Sequence, residues 1–406
     1  MKKMIALCFV QFCIFFLHSQ TYDNYSIKAE YLQGIIMKHN KHLENLVKGP
    51  SQGVSLSVEA QTAGEKPWHQ YLNFPRIGAS FTYIALSNPE SLGNIFALYP
   101  YMQIPIIRTD FFSINMRPGA GLSYITKYYG NAPHLEGTLN GANGEANAAN
   151  AAIGSALNVF LAFGGNLEVP ITQGFSLTAD YAWNHVSNGS VVQPNSGINM
   201  MNAYVGLKYS PNYKNYQKPM RKDVGDISRD FSFEITASGG VRQLYYRDGK
   251  NYGIASLGLG VYRPMANFYR MGLGADVFYD GVFGAVNIGN NVDTHYKRTY
   301  IESDELKNKL RAGISWQHEF IVGRLIAGFH FGLYLYDPIK NLEPYDKKGE
   351  EQKSLIYKYD IDKEDGWLYT RAVAKYMLSD HFFASIGLKT HLQKAEFIEW
   401  GLGYRF

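Results

Sequence analysis

A histidine and a serine two positions apart are the residues of this chain best suited to catalysis. His185 and Ser187 end a segment of alternating apolar and polar residues, and an asparagine-rich stretch over residues 188–199 follows them. Side chains two apart in an extended strand point to the same face, so an imidazole and a hydroxyl at this spacing can form a hydrogen bond. A serine hydrolase uses such a pair as general base and nucleophile. The sequence therefore predicts a hydrolytic site here.

The strand that carries the pair has two faces of opposite character. Over residues 175–187 the odd-numbered residues are mainly apolar and the even-numbered ones mainly polar, and residues 199–209 repeat the pattern. The odd set is expected to face lipid, so the pair ends a lipid-facing band. If the hairpin between the two strands is symmetric about Gln193, Asn199 lies across from Ser187 and within reach of the imidazole. Three polar side chains are thus expected to cluster at the end of this band.

The first residues and the composition indicate an exported membrane barrel. Lys2 and Lys3 precede an apolar run over residues 4–17, which predicts a signal peptide over residues 1–20. Both cysteines lie in that run, so the mature chain is expected to have neither a disulfide nor a cysteine-bound metal. Aromatic residues make up 15% of the chain, which also contains 40 glycines. This profile is typical of a β-barrel in the outer membrane of a Gram-negative bacterium.

Alternation of apolar and polar residues recurs along the chain and predicts about sixteen strands. It is clear over residues 54–61, 77–83 and 269–277, and it continues to the terminal Phe406. A soluble β-sandwich would also alternate. The signal peptide and the terminal phenylalanine, which resembles the C-terminal signal read by the outer-membrane assembly machinery, favour the membrane. We therefore predict an all-β, transmembrane, antiparallel up-and-down barrel of about 14–16 strands.

The long connections divide the predicted barrel. Three are expected outside the cell, at residues 127–150, 280–304 and 337–365. A fourth, at residues 211–229, is expected in the periplasm and separates residues 21–210 from residues 230–406. One large barrel is the simpler prediction because every strand edge is then paired, and two eight-stranded barrels are the alternative.

The stretch around the histidine and serine resembles a family motif. The lipid A deacylase family, the PagL-like acyloxyacyl hydrolases of Gram-negative outer membranes, has His-x-Ser-Asn, a short spacer, Pro-Asn-x-Gly and an acidic residue two positions later. The residues that match are His185, Ser187, Asn188, Pro194, Asn195 and Gly197. Asn199 stands where the family has glutamate. The similarity covers residues 35–211, and residues 230–406 receive no role from it.

The resemblance implies an outer-membrane serine esterase that removes an ester-linked acyl chain from lipid A or a related glycolipid. Ser187 would be the nucleophile, His185 the general base and Asn199 the group that orients the imidazole. Asn195 and the backbone N–H of Gly189 would stabilise the oxyanion. No metal or other cofactor is implied. The alternative is a non-catalytic barrel, either a channel or a structural protein, that retains the loop.

Several charged residues are expected inside the barrel and not in the site. The parity of Asp180 directs it into the lumen, so it is not expected to act as the third catalytic group. Paired charges are also expected in the lumen from Arg263, Arg270, Asp276 and Asp280. The net charge of +4 and the scattered basic residues give no indication of a nucleic-acid partner, and the sequence leaves a homodimer open.

Overall fold

The computed structural model describes residues 24–38, 41–130, 150, 152–213, 219–225, 228–244, 250–284, 303–338, 367–391 and 394–406. The predicted signal peptide and most of the three predicted outer connections lie outside these residues. No helix in the described ranges is long and apolar enough to cross a membrane.

The described part of the chain forms sixteen strands, which confirms the number expected from the alternation. The first eight are β1 Tyr25–Ile36, β2 Ser51–Gln61, β3 Arg76–Ala85, β4 Asn94–Arg108, β5 Ser113–Ile125, β6 Leu157–Thr172, β7 Phe175–Ser187 and β8 Ile198–Tyr209. The second eight are β9 Ser232–Arg242, β10 Tyr252–Ala266, β11 Tyr269–Asp280, β12 Leu310–Val322, β13 Leu325–Tyr336, β14 Leu368–Met377, β15 Phe382–His391 and β16 Lys394–Arg405. Short helices lie in the connections: α1 Lys41–Leu46, α2 Pro67–Tyr71 and α3 Leu306–Lys309.

The strands close into two separate antiparallel barrels. β1 pairs with both β2 and β8, and β9 pairs with both β10 and β16, so each half of the chain forms a complete eight-stranded cylinder. The all-β barrel architecture is confirmed. The preferred single large barrel is wrong, and the alternative of two eight-stranded barrels is the one observed. Closure within each half also leaves no strand edge unpaired, so edge pairing does not distinguish the two architectures.

The candidate residues lie at the end of the first barrel opposite its tight turns. β7 begins after the turn at Gly174, where the backbone N–H of Ser210 donates to the Gly174 carbonyl at 2.8 Å. The connection that follows β8 therefore leaves the barrel at the turn end. β7 ends at Ser187, at the other end, which is called the site end below. α1 also lies at the site end, because it follows β1, which runs antiparallel to β8.

Side chains fill the interior of the first barrel. Asp180 points inwards, as predicted, and its Oδ2 accepts a hydrogen bond from Arg117 Nη1 at 2.7 Å. Lys28 Nζ lies 3.4 Å from the same oxygen, which places this ion network in the half away from the site. At the site end the interior is apolar, and the fully buried residues behind the candidate site are Val186, Ile198 and Met200. The site is thus backed by a packed apolar core.

The second barrel has a charged interior. Arg270, Asp276 and Asp280 each form a buried ion pair inside it, which confirms their predicted position. The same prediction for Arg263 is wrong, because its side chain is exposed on the outer face. Tyr262 points into the barrel, and alternation along β10 turns the next residue outwards.

The two barrels contact each other at both ends. At the turn end, the hydroxyl of Tyr71 in α2 lies 3.5 Å from the Ile321 carbonyl, and its ring centroid is 6.2 Å from that of Phe268. At the site end, the connection between β7 and β8 contacts Gln243 and Ala395 of the second barrel. The barrels therefore stand side by side, and one of their contacts involves the segment that carries the candidate site.

Candidate active site

His185, Ser187 and Asn199 form one continuous chain of hydrogen bonds. Ser187 Oγ lies 2.9 Å from His185 Nε2, and His185 Nδ1 lies 2.8 Å from Asn199 Oδ1. The Asn199 oxygen can only accept, so the ring donates its Nδ1–H to it, and Nε2 accepts the serine hydroxyl. This tautomer lets the imidazole take a proton from Ser187. The sequence prediction that these three side chains meet is consistent with this geometry.

The register of β7 and β8 brings the three residues together. His185 pairs directly with Asn199, whereas a hairpin symmetric about Gln193 would place Asn199 across from Ser187. The expected register is therefore wrong by two residues along β7. Val186 pairs with Ile198 one step further along the hairpin. Both side chains are completely buried in the barrel, and a shift of two residues leaves each side chain on the face that the alternation predicts.

Aromatic and glycine neighbours hold the imidazole in place. The ring of Trp183 stacks on that of His185, with centroids 5.5 Å apart and an interplanar angle of 16°. Gly197 has a φ of +76°, and a Cβ at this position would lie 2.9 Å from His185 Cε1. Only glycine combines that backbone conformation with so close an approach. Ser187 itself is 7% exposed, so its hydroxyl is sheltered although it lies on the outward face of β7.

Asn188 gives shape to residues 188–197, which are called the site loop below. Its backbone N–H donates to Asn195 Oδ1 at 2.9 Å. Its side-chain Nδ2 donates to Ser155 Oγ at 3.0 Å and to the Val192 carbonyl at 2.9 Å. These bonds join both arms of the loop and tie it to the segment before β6. The sequence identified Asn188 only as part of the motif and did not predict that it shapes the loop. It gave no signal for Ser155, because the bond of Ser155 to Asn188 is a tertiary contact.

The cluster contains a hydroxyl, an imidazole and an amide oxygen that accepts a hydrogen bond from the imidazole. It contains no carboxylate, because the orienting position is Asn199. Asp180, the nearby acid on β7, is buried in the lumen with Arg117, as its parity predicts. Within the ranges that the structure describes, no group of three or more His, Cys, Asp or Glu side chains is arranged to hold a metal ion. The arrangement suits nucleophilic attack by Ser187 with proton transfer to His185.

Two family models match the chain. Residues 52–208 match the model described as lipid A 3-O-deacylase (PagL). Residues 231–348 and 355–406 match the model described as acyloxyacyl hydrolase, C-terminal domain. The first match contains the three candidate residues, and the second extends over nearly all of the second barrel. Among curated proteins, none matches the chain.

Three solved structures are similar to part of the chain at low sequence identity. Neisserial surface protein A is 10% identical, with 46% of this chain and 96% of that one covered and a TM-score of 0.28. The outer-membrane enzyme PagL is 16% identical, with 44% and 97% covered and a TM-score of 0.27. Ail, the attachment invasion locus protein of Yersinia pestis, is 12% identical, with 46% and 97% covered and a TM-score of 0.26. TM-scores this low support no conclusion about this chain.

Proposed function

Because the chain belongs to the PagL-like family of lipid A deacylases, we propose that it is an outer-membrane serine esterase that removes an ester-linked acyl chain from lipid A or a related glycolipid. The observation that carries this proposal is the hydrogen-bonded chain from Ser187 through His185 to Asn199, with distances of 2.9 and 2.8 Å. A nucleophile, a base and an orienting group in this order are what acyl transfer requires.

In the proposed reaction, Ser187 Oγ attacks the carbonyl carbon of the acyl ester while His185 Nε2 takes the hydroxyl proton. The resulting tetrahedral intermediate collapses when the bond to the glycolipid oxygen breaks, and the imidazolium returns its proton to that oxygen. This leaves an acyl ester on Ser187. Water then attacks the ester with His185 again as base, so the fatty acid leaves and the free serine is restored.

Asn195 and Gly189 are the proposed oxyanion donors. The Asn188 N–H bonds to Asn195 Oδ1 at 2.9 Å, so the Nδ2 end of the same amide is the donor that a substrate oxygen would meet. The Gly189 N–H follows two residues after the nucleophile, on a backbone with φ of +61°. Donors fixed in advance in this way stabilise the charge that develops in the transition state.

The position of the site supports a lipid substrate. His185 and Ser187 end the outward face of β7, on which Leu177 is 43% and Tyr181 59% exposed. In outer-membrane barrels the tight turns are periplasmic and outward apolar faces contact lipid. The site end then lies at the outer leaflet, where the headgroups and ester bonds of glycolipids lie. The packed interior of the first barrel favours this reading over the alternative of a channel.

Lipid analysis tests the proposal directly. Mass spectrometry of lipid A from cells with the gene, without the gene and with Ser187→Ala is expected to show loss of one acyl chain only in the first. If the substrate were a water-soluble ester, the lipid A profiles of all three strains would be the same. Identical acylation in the three strains would therefore contradict lipid A deacylation.

Asn195→Ala is expected to lower turnover about a hundredfold, the usual effect of losing one oxyanion donor. Alanine also removes the oxygen that accepts the Asn188 N–H, so Asn195→Asp is the matched variant. Aspartate keeps that acceptor but has no N–H to donate, and it should lower turnover at least as much. Turnover numbers on purified lipid A decide between the roles: parent-like activity of Asn195→Asp would mean that Asn195 only shapes the loop.

A further inference from the structure

Among the described residues, three hydrogen bonds join the second barrel to the site loop. The backbone N–H of Gln243 donates to the Ser190 carbonyl at 3.0 Å. The Ser190 hydroxyl donates to the Ala395 carbonyl at 2.8 Å. The backbone N–H of Gln193 donates to Gln243 Oε1 at 3.0 Å. The β9–β10 connection and the start of β16 thus hold the loop that follows the proposed nucleophile.

Packing adds to these bonds at Gly189. A Cβ on this glycine would lie 2.3 Å from Ile398 Cγ1 and 3.4 Å from Leu388 Cδ1. Ile398 and Leu388 belong to β16 and β15, so the loop backbone rests directly on the second barrel. Glycine is required here because of this approach and because of the positive φ. The proposed oxyanion N–H is therefore on a residue whose position the second barrel defines.

Ser190 adopts a backbone conformation that needs external support. Its φ is +67°, in the left-handed region that residues other than glycine rarely occupy. Such conformations persist where the surrounding structure holds them, and they occur often at functional sites. Both the carbonyl and the hydroxyl of Ser190 bond to the second barrel, and the residue is only 2% exposed. The contacts that hold Ser190 thus come from outside the barrel that carries it.

We propose that the second barrel is a positioning element of the active site, in which Gln243 fixes the site loop so that the oxyanion donors are aligned. This inference rests on the proposed function. Gln243 acts through the backbone of Ser190 and Gln193, so it is a positioning residue and not a catalytic one. Donor alignment matters most in the transition state, where the oxyanion forms. Loss of the support is therefore expected to reduce kcat and leave KM unchanged.

Three variants test the role of the Gln243 side chain. Gln243→Leu keeps the size of the side chain but removes the acceptor for the Gln193 N–H. It is expected to lower kcat about tenfold with KM unchanged. This effect is smaller than that of removing an oxyanion donor itself. Gln243→Glu retains an acceptor oxygen and should restore the parent kcat. Lys250→Ala, at an exposed residue of the same connection, is the control and should match the parent. Parent-like kcat in Gln243→Leu, or equal losses in the leucine and glutamate variants, would overturn the proposal.

A pair of variants at Ser190 tests the backbone support. Ser190→Ala loses the bond to Ala395 and retains the strained conformation, whereas Ser190→Gly loses the same bond and relieves the strain. The alanine variant is therefore expected to lose several-fold more kcat than the glycine variant. If glycine is as harmful as alanine, strain at Ser190 is not what the second barrel supports, and the inference is contradicted.

Amide exchange separates this inference from the proposed function. In detergent-solubilised protein, a peptide spanning residues 188–193 should exchange at least tenfold faster in Gln243→Leu than in the parent or in Gln243→Glu. If the parent is no more active on lipid A than Ser187→Ala, the proposed function fails, and exchange still decides whether the loop is held. If the parent is active but Gln243→Leu matches it in kcat and exchange, only the positioning role fails.

Discussion

Ser187→Ala is expected to lower the rate of lipid A deacylation by about four powers of ten or more, to the level that binding and the oxyanion donors alone provide. Alanine cannot attack the ester. His185→Ala should cause a loss of similar size because the serine hydroxyl then has no base. Ser187 and His185 act as one unit, so the effects of the two substitutions are not additive. The double variant should therefore be no slower than either single variant.

The measurement is release of fatty acid from purified lipid A in detergent. Heat-modifiable migration of each variant on a gel is the test of folding. Both side chains lie at the rim on the outward face of β7, so neither change should disturb the packed interior. Ser176→Ala, at the other end of the same strand, is the matched serine control and should retain parent activity. Substantial hydrolysis by Ser187→Ala would remove this residue from the role of nucleophile.

Local patterns in the sequence predict the strands well. The alternation over residues 175–187 predicts both ends of β7 and the orientation of Asp180 into the lumen, because the side-chain period of a strand is a local property. Closure is different. Whether β8 pairs with β1 or with β9 depends on pairing between residues far apart, and both arrangements satisfy every edge. The alternation therefore predicts sixteen strands without distinguishing one barrel from two.

The candidate site divides in the same way. The spacing of His185 and Ser187 predicts their contact, because two residues on one strand face need no tertiary information. The partner of Asn199 was expected to be Ser187, but the observed partner is His185. A register shift of two residues keeps every side chain on the same face, so alternation alone does not distinguish the two registers. The bond from Ser190 to Ala395 joins residues 205 positions apart. Nothing near Ser190 in sequence signals that contact, so the role of the second barrel emerges only from the fold.

The second large effect is expected at Asn199, where the chain departs from its family. Asn199→Leu keeps the size of the side chain but removes the oxygen that accepts the His185 Nδ1–H at 2.8 Å. Without it the ring can rotate and adopt the other tautomer, in which Nε2 is protonated and cannot act as a base. Turnover should fall by about three powers of ten. This decrease is smaller than the one caused by removing a charged member of a catalytic triad. Parent-like turnover would mean that Asn199 is not the third member.

Asn199→Glu is expected to give turnover equal to or above that of the parent. A carboxylate accepts the same hydrogen bond and also stabilises the imidazolium that forms when Ser187 loses its proton. Asn199→Asp is the matched variant because it adds the charge without lengthening the side chain. Under the proposed function, the gain is limited by the cost of placing a charge on a lipid-facing side, a cost that falls towards the membrane interface. Turnover numbers of the leucine, aspartate and glutamate variants on one lipid A preparation provide the comparison. If both acidic variants are as slow as Asn199→Leu, the site depends on an uncharged acceptor, and charge stabilisation by the third residue is excluded as a source of its rate.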